Sequence, residues 1–277
     1  MRDKICVITG GSNGIGKATA TELARRGAQV IIICKSHQRG EQARKEIYNT
    51  TGNANVDLIF ADLAIQLEVR RAALEIMQKY NHIDVLINNA AVMLPKREVT
   101  RDGIEKMFAI NYLSHFLLTN LLLDHLRAST SARIISVASL IPGAKIDLDD
   151  LMMQNIRYSS FAALRPNKLA LNMFSRELAK RLSKSNITVN TLHPGIARSG
   201  IMDKSSWVMK RFMHLLSTTP EKAAETSIYL ACSPEVEGVT GKFFTKCQET
   251  PMKGDQINDQ NLWAQLWAQS AKLTQLA

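Results

Sequence analysis

Residues 4–16 read KICVITGGSNGIG: a short apolar run followed at once by a glycine-rich turn. Lys4–Thr9 has the composition of a buried strand. A helical pattern begins at Ile15, with Gly16, Ala20, Leu23, Ala24 and Gly27 recurring on one face. A glycine turn between a buried strand and a helix start is the context a dinucleotide site requires. Gly10 allows a tight turn, Gly14 lets the backbone approach a pyrophosphate, and Gly16 lets helix and strand pack closely. The helix start offers unpaired N–H groups and a positive dipole end to phosphate.

Outward from that stretch, apolar runs alternate with helical ones. Strands are expected at Ala28–Ile33, Val56–Ala61, Ile83–Ile87, Ala132–Ala138 and Ile187–Leu192, with a short seventh at Lys242–Thr245. Between them fall helices at His37–Thr51, Gln66–Tyr80, Gly103–Arg127 (two), Lys168–Ser183, Met202–Leu216 and Glu221–Cys232. Strands apolar on both faces and joined by helices imply a parallel sheet covered on both sides. No repeat or linker interrupts the 277 residues, so one α/β domain is expected. The tail from Glu249 to Ala277 is more polar, and Leu262, Trp263, Leu266, Trp267 and Leu273 suggest one amphipathic helix in a C-terminal extension.

Composition narrows the classes. Hydrophobic content of 45% is that of a globular protein. The longest apolar run, around Phe116–Leu123, is too short for a membrane span. The first strand begins close to Met1, which leads us to expect no leader or membrane anchor and a cytoplasmic setting. Cys6, Cys34, Cys232 and Cys247 are scattered without metal-ligand spacing, so buried reduced thiols are expected. The net charge of +10 is spread over several segments with acids between them. That is a solvated basic surface with an anionic cofactor, rather than a nucleic-acid footprint.

The TGxxxGIG spacing resembles the short-chain dehydrogenase/reductases, and TGGSNGIGKATATELARRGAQVIIICKS resembles their retinol-dehydrogenase-like branch. The likeness implies a single doubly wound Rossmann domain, with a mostly parallel sheet of about seven strands and helices on both faces. It continues along the chain. Asp62-Leu63 resembles the pair that contacts adenine, although Asp62 would also serve as a helix N-cap. Asn88-Asn89-Ala90-Ala91 resembles NNAG, with Ala91 replacing its glycine. INYLSHF places Asn111 at the active-site asparagine that holds a relay water, and RIISVASL places Ser139 at the catalytic serine. His193-Pro194-Gly195 resembles the branch's HPG, and Ser199 stands where a threonine binds the nicotinamide carboxamide. The cofactor-binding set is therefore Gly10, Ser12, Asn13, Gly14, Ile15, Gly16, Lys35, Ser36, Asp62, Leu63, Asn89, Ala90, Ala91, Lys168, Pro194, Gly195 and Ser199.

At the end of the second strand the chain reads Cys34-Lys35-Ser36-His37. An NAD site usually carries an acid about twenty residues beyond the glycines. Here a cation stands in its place, which favours NADP(H) over NAD(H); Ser12 and Asn13 are further candidates for that phosphate.

The resemblance fails at one position. The family's Tyr-x-x-x-Lys places both residues on one helix face. Lys168 is the lysine, which binds the nicotinamide ribose and lowers the tyrosine's pKa. Four residues earlier stands Leu164, 25 residues after Ser139, where the branch has its tyrosine. Leucine has no proton to give, and losing a general acid costs about 10²–10⁴ in rate. Tyr158 is the nearest phenol in sequence, in the expected preceding loop; Tyr112 is expected to pack, Pro166 to lie in the first helical turn, and Arg165 is a candidate for binding an anionic substrate.

Three functions follow as expectations. One is an NADP(H)-dependent oxidoreductase on an apolar alcohol/carbonyl pair, with proton transfer impaired or rewired; Ser139, Lys168 and Asn111 would be its catalytic set. Another is a silent NADP(H) sensor or scaffold. The last is a reductase of activated C=C bonds. The resemblance implies a substrate lid over residues 200–216, whose apolar residues fit a lid and helical core packing equally well; it leaves oligomeric state open between a homodimer through the helices around Tyr112–Arg127 and Lys168–Ser183 and a surface covered by the tail.

Overall fold

The computed structural model describes residues 1–139, 141–195 and 218–276. The glycine turn does join a strand to a helix: β1 is Ile5–Thr9 and α1 is Gly14–Arg25. β2 (Gln29–Cys34), α2 (His37–Thr51), β3 (Val56–Phe60), α3 (Gln66–Lys79) and β4 (Val85–Asn88) complete the first half. The second half carries α4 (Lys106–Phe108), a π-turn at Ala109–Leu113, α5 (Ser114–Leu121), α6 (Leu123–Arg127), β5 (Ala132–Val137), α7 (Ser160–Arg181) and β6 (Ile187–His193). Then follow α8 (Pro220–Cys232), β7 (Phe243–Thr245), β8 (Gln248–Glu249), α9 (Asp255–Asn258) and α10 (Gln260–Leu273).

The eight strands form one sheet in the order β3-β2-β1-β4-β5-β6-β7-β8. All neighbours are parallel except β7 and β8. Strand side chains alternate between two cores. Val7, Ile31, Ile33, Leu86, Ile134 and Val189 point to one, with residues of α3, α5, α7 and α10. Cys6, Ile8, Ile32, Ile87, Ile135 and Leu192 point to the other, with residues of α1, α2 and α8. Ile31, Ile32 and Ile33 are all fully buried, so each adds roughly 1.5–3 kcal/mol of burial whichever face it takes. That two-sided demand is why β2 reads as a continuous apolar run. The order reverses at β1, which has β2 on one side and β4 on the other, and a doubly wound sheet binds ligands beyond the strand ends at that point.

The expected elements are largely present, with three differences. α7 begins at Ser160, eight residues before the expected start. Ser159 caps it by accepting from the Ala162 N–H, and Pro166 therefore lies inside the helix rather than in its first turn. A short antiparallel β8 follows β7; two residues with exposed side chains carry no apolar pattern to announce it. The tail forms two helices, because Asp259 ends α9 and caps α10 through the Asn261 and Leu262 N–H groups.

α10 lies across α5 and α7. Trp267 packs edge-on to Phe116 and stacked on Phe174, the Arg181 guanidinium covers its ring, and Tyr112 shares a 2.7 Å hydrogen bond with Ser270. Tyr112 thus packs, as expected, and the faces expected to pair two copies carry this helix. Cys6 and Cys34 are buried free thiols, and Cys232 and Cys247 are free as well. Among the described residues no helix is long and apolar enough to cross a membrane.

Candidate active site

The first turn is shaped by close approach. Gly10 has φ +68°, and a Cβ there would sit 3.0 Å from the Ala90 Cα. A Cβ on Gly16 would lie 2.4 Å from the Gly10 carbonyl oxygen and 2.5 Å from Asn89 Nδ2. No side chain fits, because the backbone of the turn packs directly on the β4 end. Asn13 caps α1 by accepting from the Gly14 N–H at 2.7 Å.

The β4 end is tied to that turn through Thr9. Its hydroxyl accepts from the Asn89 and Ala90 N–H groups at 2.9 and 3.0 Å, and Asn89 Nδ2 donates to the Thr9 carbonyl at 2.9 Å. His115 Nε2 sits 3.2 Å from the same hydroxyl. Burial and then the Lys168 charge push the His115 pKa down to about 3, so it serves as a neutral core partner. Thr9 opens the glycine motif and His115 lies within INYLSHF, but nothing in the sequence pairs them across 106 residues.

A cleft of about 670 Å³ runs from this turn across the sheet end. It is lined by Gly10, Ser12, Asn13, Gly14, Ile15, Gly16, Lys35, Asp62, Leu63, Asn89, Ala90, Ala91, Ser139, Lys168, Pro194 and Gly195, together with Leu164. Residues named from seven separate stretches of sequence thus meet in one cavity. A larger groove of about 930 Å³ lies between α1 and α8, but ion-paired surface side chains such as Lys17–Glu46 and Arg26–Glu22 occupy its walls.

Some expected residues are placed otherwise. Ser36 caps α2 by accepting from the Arg39 N–H, and is not among the lining residues. Asp62 is no helix cap: α3 starts after Ile65, and Asp62 Oδ1 instead closes a turn onto the Ala64 N–H at 3.0 Å. Its other oxygen takes the Lys35 ammonium at 2.5 Å. Burial opposes ionisation of Asp62, but Lys35 and the Ala64 N–H outweigh it and hold the carboxyl below the usual range. Arg39, in the first turn of α2 just past the cap Ser36, also lines the cleft and could have been read as a second cation at the end of β2. Asn111 sits in the π-turn, fully buried, with both ends of its amide on Val92: the Val92 N–H donates to Oδ1 at 2.7 Å, and Nδ2 donates to the Val92 carbonyl at 2.9 Å. It fixes the Val92–Leu94 stretch, which lines the cleft, while not lining it itself. Ser199 and residues 200–216 lie outside the described residues.

Lys168 and Leu164 share one face of α7. Lys168 Nζ is buried and donates to the Val137 carbonyl at 2.7 Å. Burial lowers its pKa from 10.5 to about 8. Ser139 Oγ lies 3.1 Å from His193 Nδ1, at the ends of β5 and β6, and Asn172 Nδ2 donates to the Ser139 carbonyl at 3.1 Å. The cleft thus brings together a hydroxyl, a buried ammonium and a glycine-rich turn at a helix start.

The profile of the short chain dehydrogenases matches residues 4–208. Human retinol dehydrogenase 13 is 42% identical over 99% of this chain and 85% of its own length. The chain belongs to the short chain dehydrogenase family. A solved but uncharacterised protein from Mycobacterium paratuberculosis superposes with a TM-score of 0.79 at 32% identity, covering 99% of this chain and 94% of that one. The RhlG/NADP complex of Pseudomonas aeruginosa does so with a TM-score of 0.71 at 26% identity, over 88% and 94%. The sequence resemblance is therefore upheld for family and fold, and the chain is an oxidoreductase by family.

In this short chain dehydrogenase Leu164 reaches the cleft and packs with Val92, Met93 and Leu94 beside Met107 and Ala163. Tyr158 lies in the loop before α7 and touches the same apolar cluster, but its hydroxyl donates to Glu105 Oε1 at 3.0 Å. Burial and then the Glu105 charge hold its pKa above the ordinary tyrosine value. Tyr158 is not among the residues that line the cleft.

Proposed function

We propose that the protein is an NADP(H)-dependent oxidoreductase interconverting an apolar alcohol and its carbonyl, with proton transfer rearranged around Leu164. The observation that carries this reading is the single cleft that joins the glycine turn, Lys35 and Arg39, Ser139 and Lys168. The residues fit the cofactor: the glycine turn and the start of α1 line the cleft where a pyrophosphate would sit, and Lys35 and Arg39 line it where a 2′-phosphate would sit.

A bound nicotinamide supplies or accepts the hydride. N–H groups at the start of α1 receive the pyrophosphate. Lys35 and Arg39 take the 2′-phosphate, for which Lys35 turns from Asp62; an exposed ion pair of this kind costs little to exchange. Lys168 would hold the ribose, and Pro194 and Gly195 would flank the ring; Ser199, expected at the carboxamide, lies outside the described residues. Ser139 Oγ–H donates to the substrate oxygen as charge develops there. Val92, Met93, Leu94, Ile110 and Leu164 give that end of the cleft an apolar wall, which suits a hydrocarbon-like substrate such as the one named in retinol dehydrogenase 13. With α10 lying over α5 and α7, self-association would use another surface.

The test is to titrate NADPH and NADH by fluorescence, then follow NADPH oxidation with apolar aldehydes, ketones and enones. Consumption with aldehydes or ketones supports the proposal. Binding without oxidation points to the silent sensor, oxidation by enones alone to a C=C reductase, and no binding overturns all three.

A further inference from the structure

In the absence of a phenol at position 164, we propose that proton transfer runs through Ser139 to His193. The inference rests on the oxidoreductase reading above and adds the route that reading lacks. Three observations carry it. Ser139 Oγ and His193 Nδ1 stand 3.1 Å apart, within hydrogen-bond reach. Ser139 lines the cleft with Leu164 and Lys168, so a substrate oxygen placed there can reach its hydroxyl. The other phenol near position 164, Tyr158, has its hydroxyl on Glu105.

The step balances. In alcohol oxidation the substrate C–H bond breaks and its electron pair leaves as hydride to the oxidised nicotinamide. The substrate O–H proton passes to Ser139 Oγ as the serine's own proton passes to His193 Nδ1. The products are the carbonyl, the reduced cofactor and an imidazolium that returns its proton to solvent. Carbonyl reduction runs the same bonds backwards, with imidazolium as the source. His193 reaches the substrate only through Ser139, so it is a positioning residue that also carries a proton.

This arrangement has a direction. In the tautomer protonated at Nε2, Nδ1 is bare and accepts from the serine. Burial, then the Lys168 ammonium, lower the His193 pKa below the ordinary 6.5. Neutral imidazole is therefore the main form at pH 7, ready to take a proton. Among the described residues Lys168, from α7, is the charged group that bears on it. Its neighbours Ser139, after β5, and Thr245, its pairing partner on β7, are uncharged.

The experiment measures the pH profile of alcohol oxidation for the wild type, His193→Gln, Leu164→Tyr and the double variant, with NADPH binding as the control for folding. It also follows the His193 imidazole by NMR titration without cofactor. We expect oxidation to fall as acid is added through a break below pH 6.5, separate from any break near 8 that belongs to Lys168. His193→Gln removes the lower break and costs about 10² or more in kcat. With tyrosine at 164 supplying the proton, the same substitution costs at least tenfold less. The imidazole titrates below 6.5. Should His193→Gln bind poorly, His193→Asn replaces it. A wild-type profile in His193→Gln, an equal loss in both backgrounds, or an imidazole titrating at or above 6.5 overturns the relay while leaving the oxidoreductase reading intact. A wild type that binds NADPH and turns over nothing overturns both.

Discussion

Lys168→Met separates what the lysine does for the reaction from what it costs the fold. The ammonium is 7% exposed, and its described partner is the Val137 carbonyl. Burial moves its pKa from 10.5 to about 8. At about 1.4 kcal/mol per pH unit, carrying that charge in the folded state costs roughly 3 kcal/mol at neutral pH. The sign follows from proton counting. Between about pH 8 and 10.5 the unfolded chain holds a proton that the folded chain has released, so stability rises with pH across that window, and below it the penalty is complete. Methionine keeps most of the stem's volume and removes the charge, losing one hydrogen bond from an ionised donor worth about 1.5–3 kcal/mol. The variant is therefore more stable than wild type by up to about 1.5 kcal/mol at pH 7, and this gain vanishes by about pH 10. Urea unfolding at pH 7 and pH 10, read by circular dichroism, measures both values. Turnover is lost in the same variant, because the ribose loses its cation. A variant less stable than wild type at pH 7 would show the ammonium to be net stabilising and refute the reasoning.

Other outcomes are expected from single changes. Lys35→Ala and Arg39→Ala should each weaken NADPH binding about tenfold or more while leaving NADH binding nearly unaltered, since a charge-assisted contact to phosphate is worth roughly 1.5–3 kcal/mol; an equal loss for both nucleotides would remove the 2′-phosphate role. Leu164→Tyr should raise carbonyl reduction at pH 7 by about 10², the usual worth of a positioned general acid; no gain in steady-state assays would mean that the pocket has been reshaped around leucine. Trp267→Ala should cost about 3 kcal/mol in thermal or urea unfolding, because the indole packs against Phe116, Phe174 and Arg181; a loss below 1 kcal/mol would show that α10 adheres loosely.

The fold was legible because β1 and β2 must satisfy two cores at once, which leaves no polar position in Val30–Ile33 and an unmistakable apolar run. The glycines at 10 and 16 were legible for a related reason: contacts of 3.0 and 2.4 Å to a missing Cβ leave no other residue type. Boundaries were harder. The N-cap Ser159 is one of a Ser-Ser pair between Tyr158 and Phe161 with no apolar stripe beside it, and Pro166 ordinarily marks a helix start, so the first two turns of α7 were hidden. Long-range side-chain contacts were harder still. Asn111 pins Val92 at a separation of 19 residues, Tyr158 spends its hydroxyl on a carboxylate 53 residues away, and Ser139 meets His193 across 54. No local periodicity encodes these pairs; the last arises because β5 and β6 bring their ends together, and the others because loops fold onto the π-turn and α4.

The account stands most directly on calorimetric titration of the wild-type chain with NADPH, with Gly16→Leu as the control. It predicts one nucleotide per chain, tighter binding of NADPH than of NADH, and loss of both when a side chain fills the space beside the Gly10 carbonyl. No heat of binding from the wild type, or undiminished binding by Gly16→Leu, would contradict it.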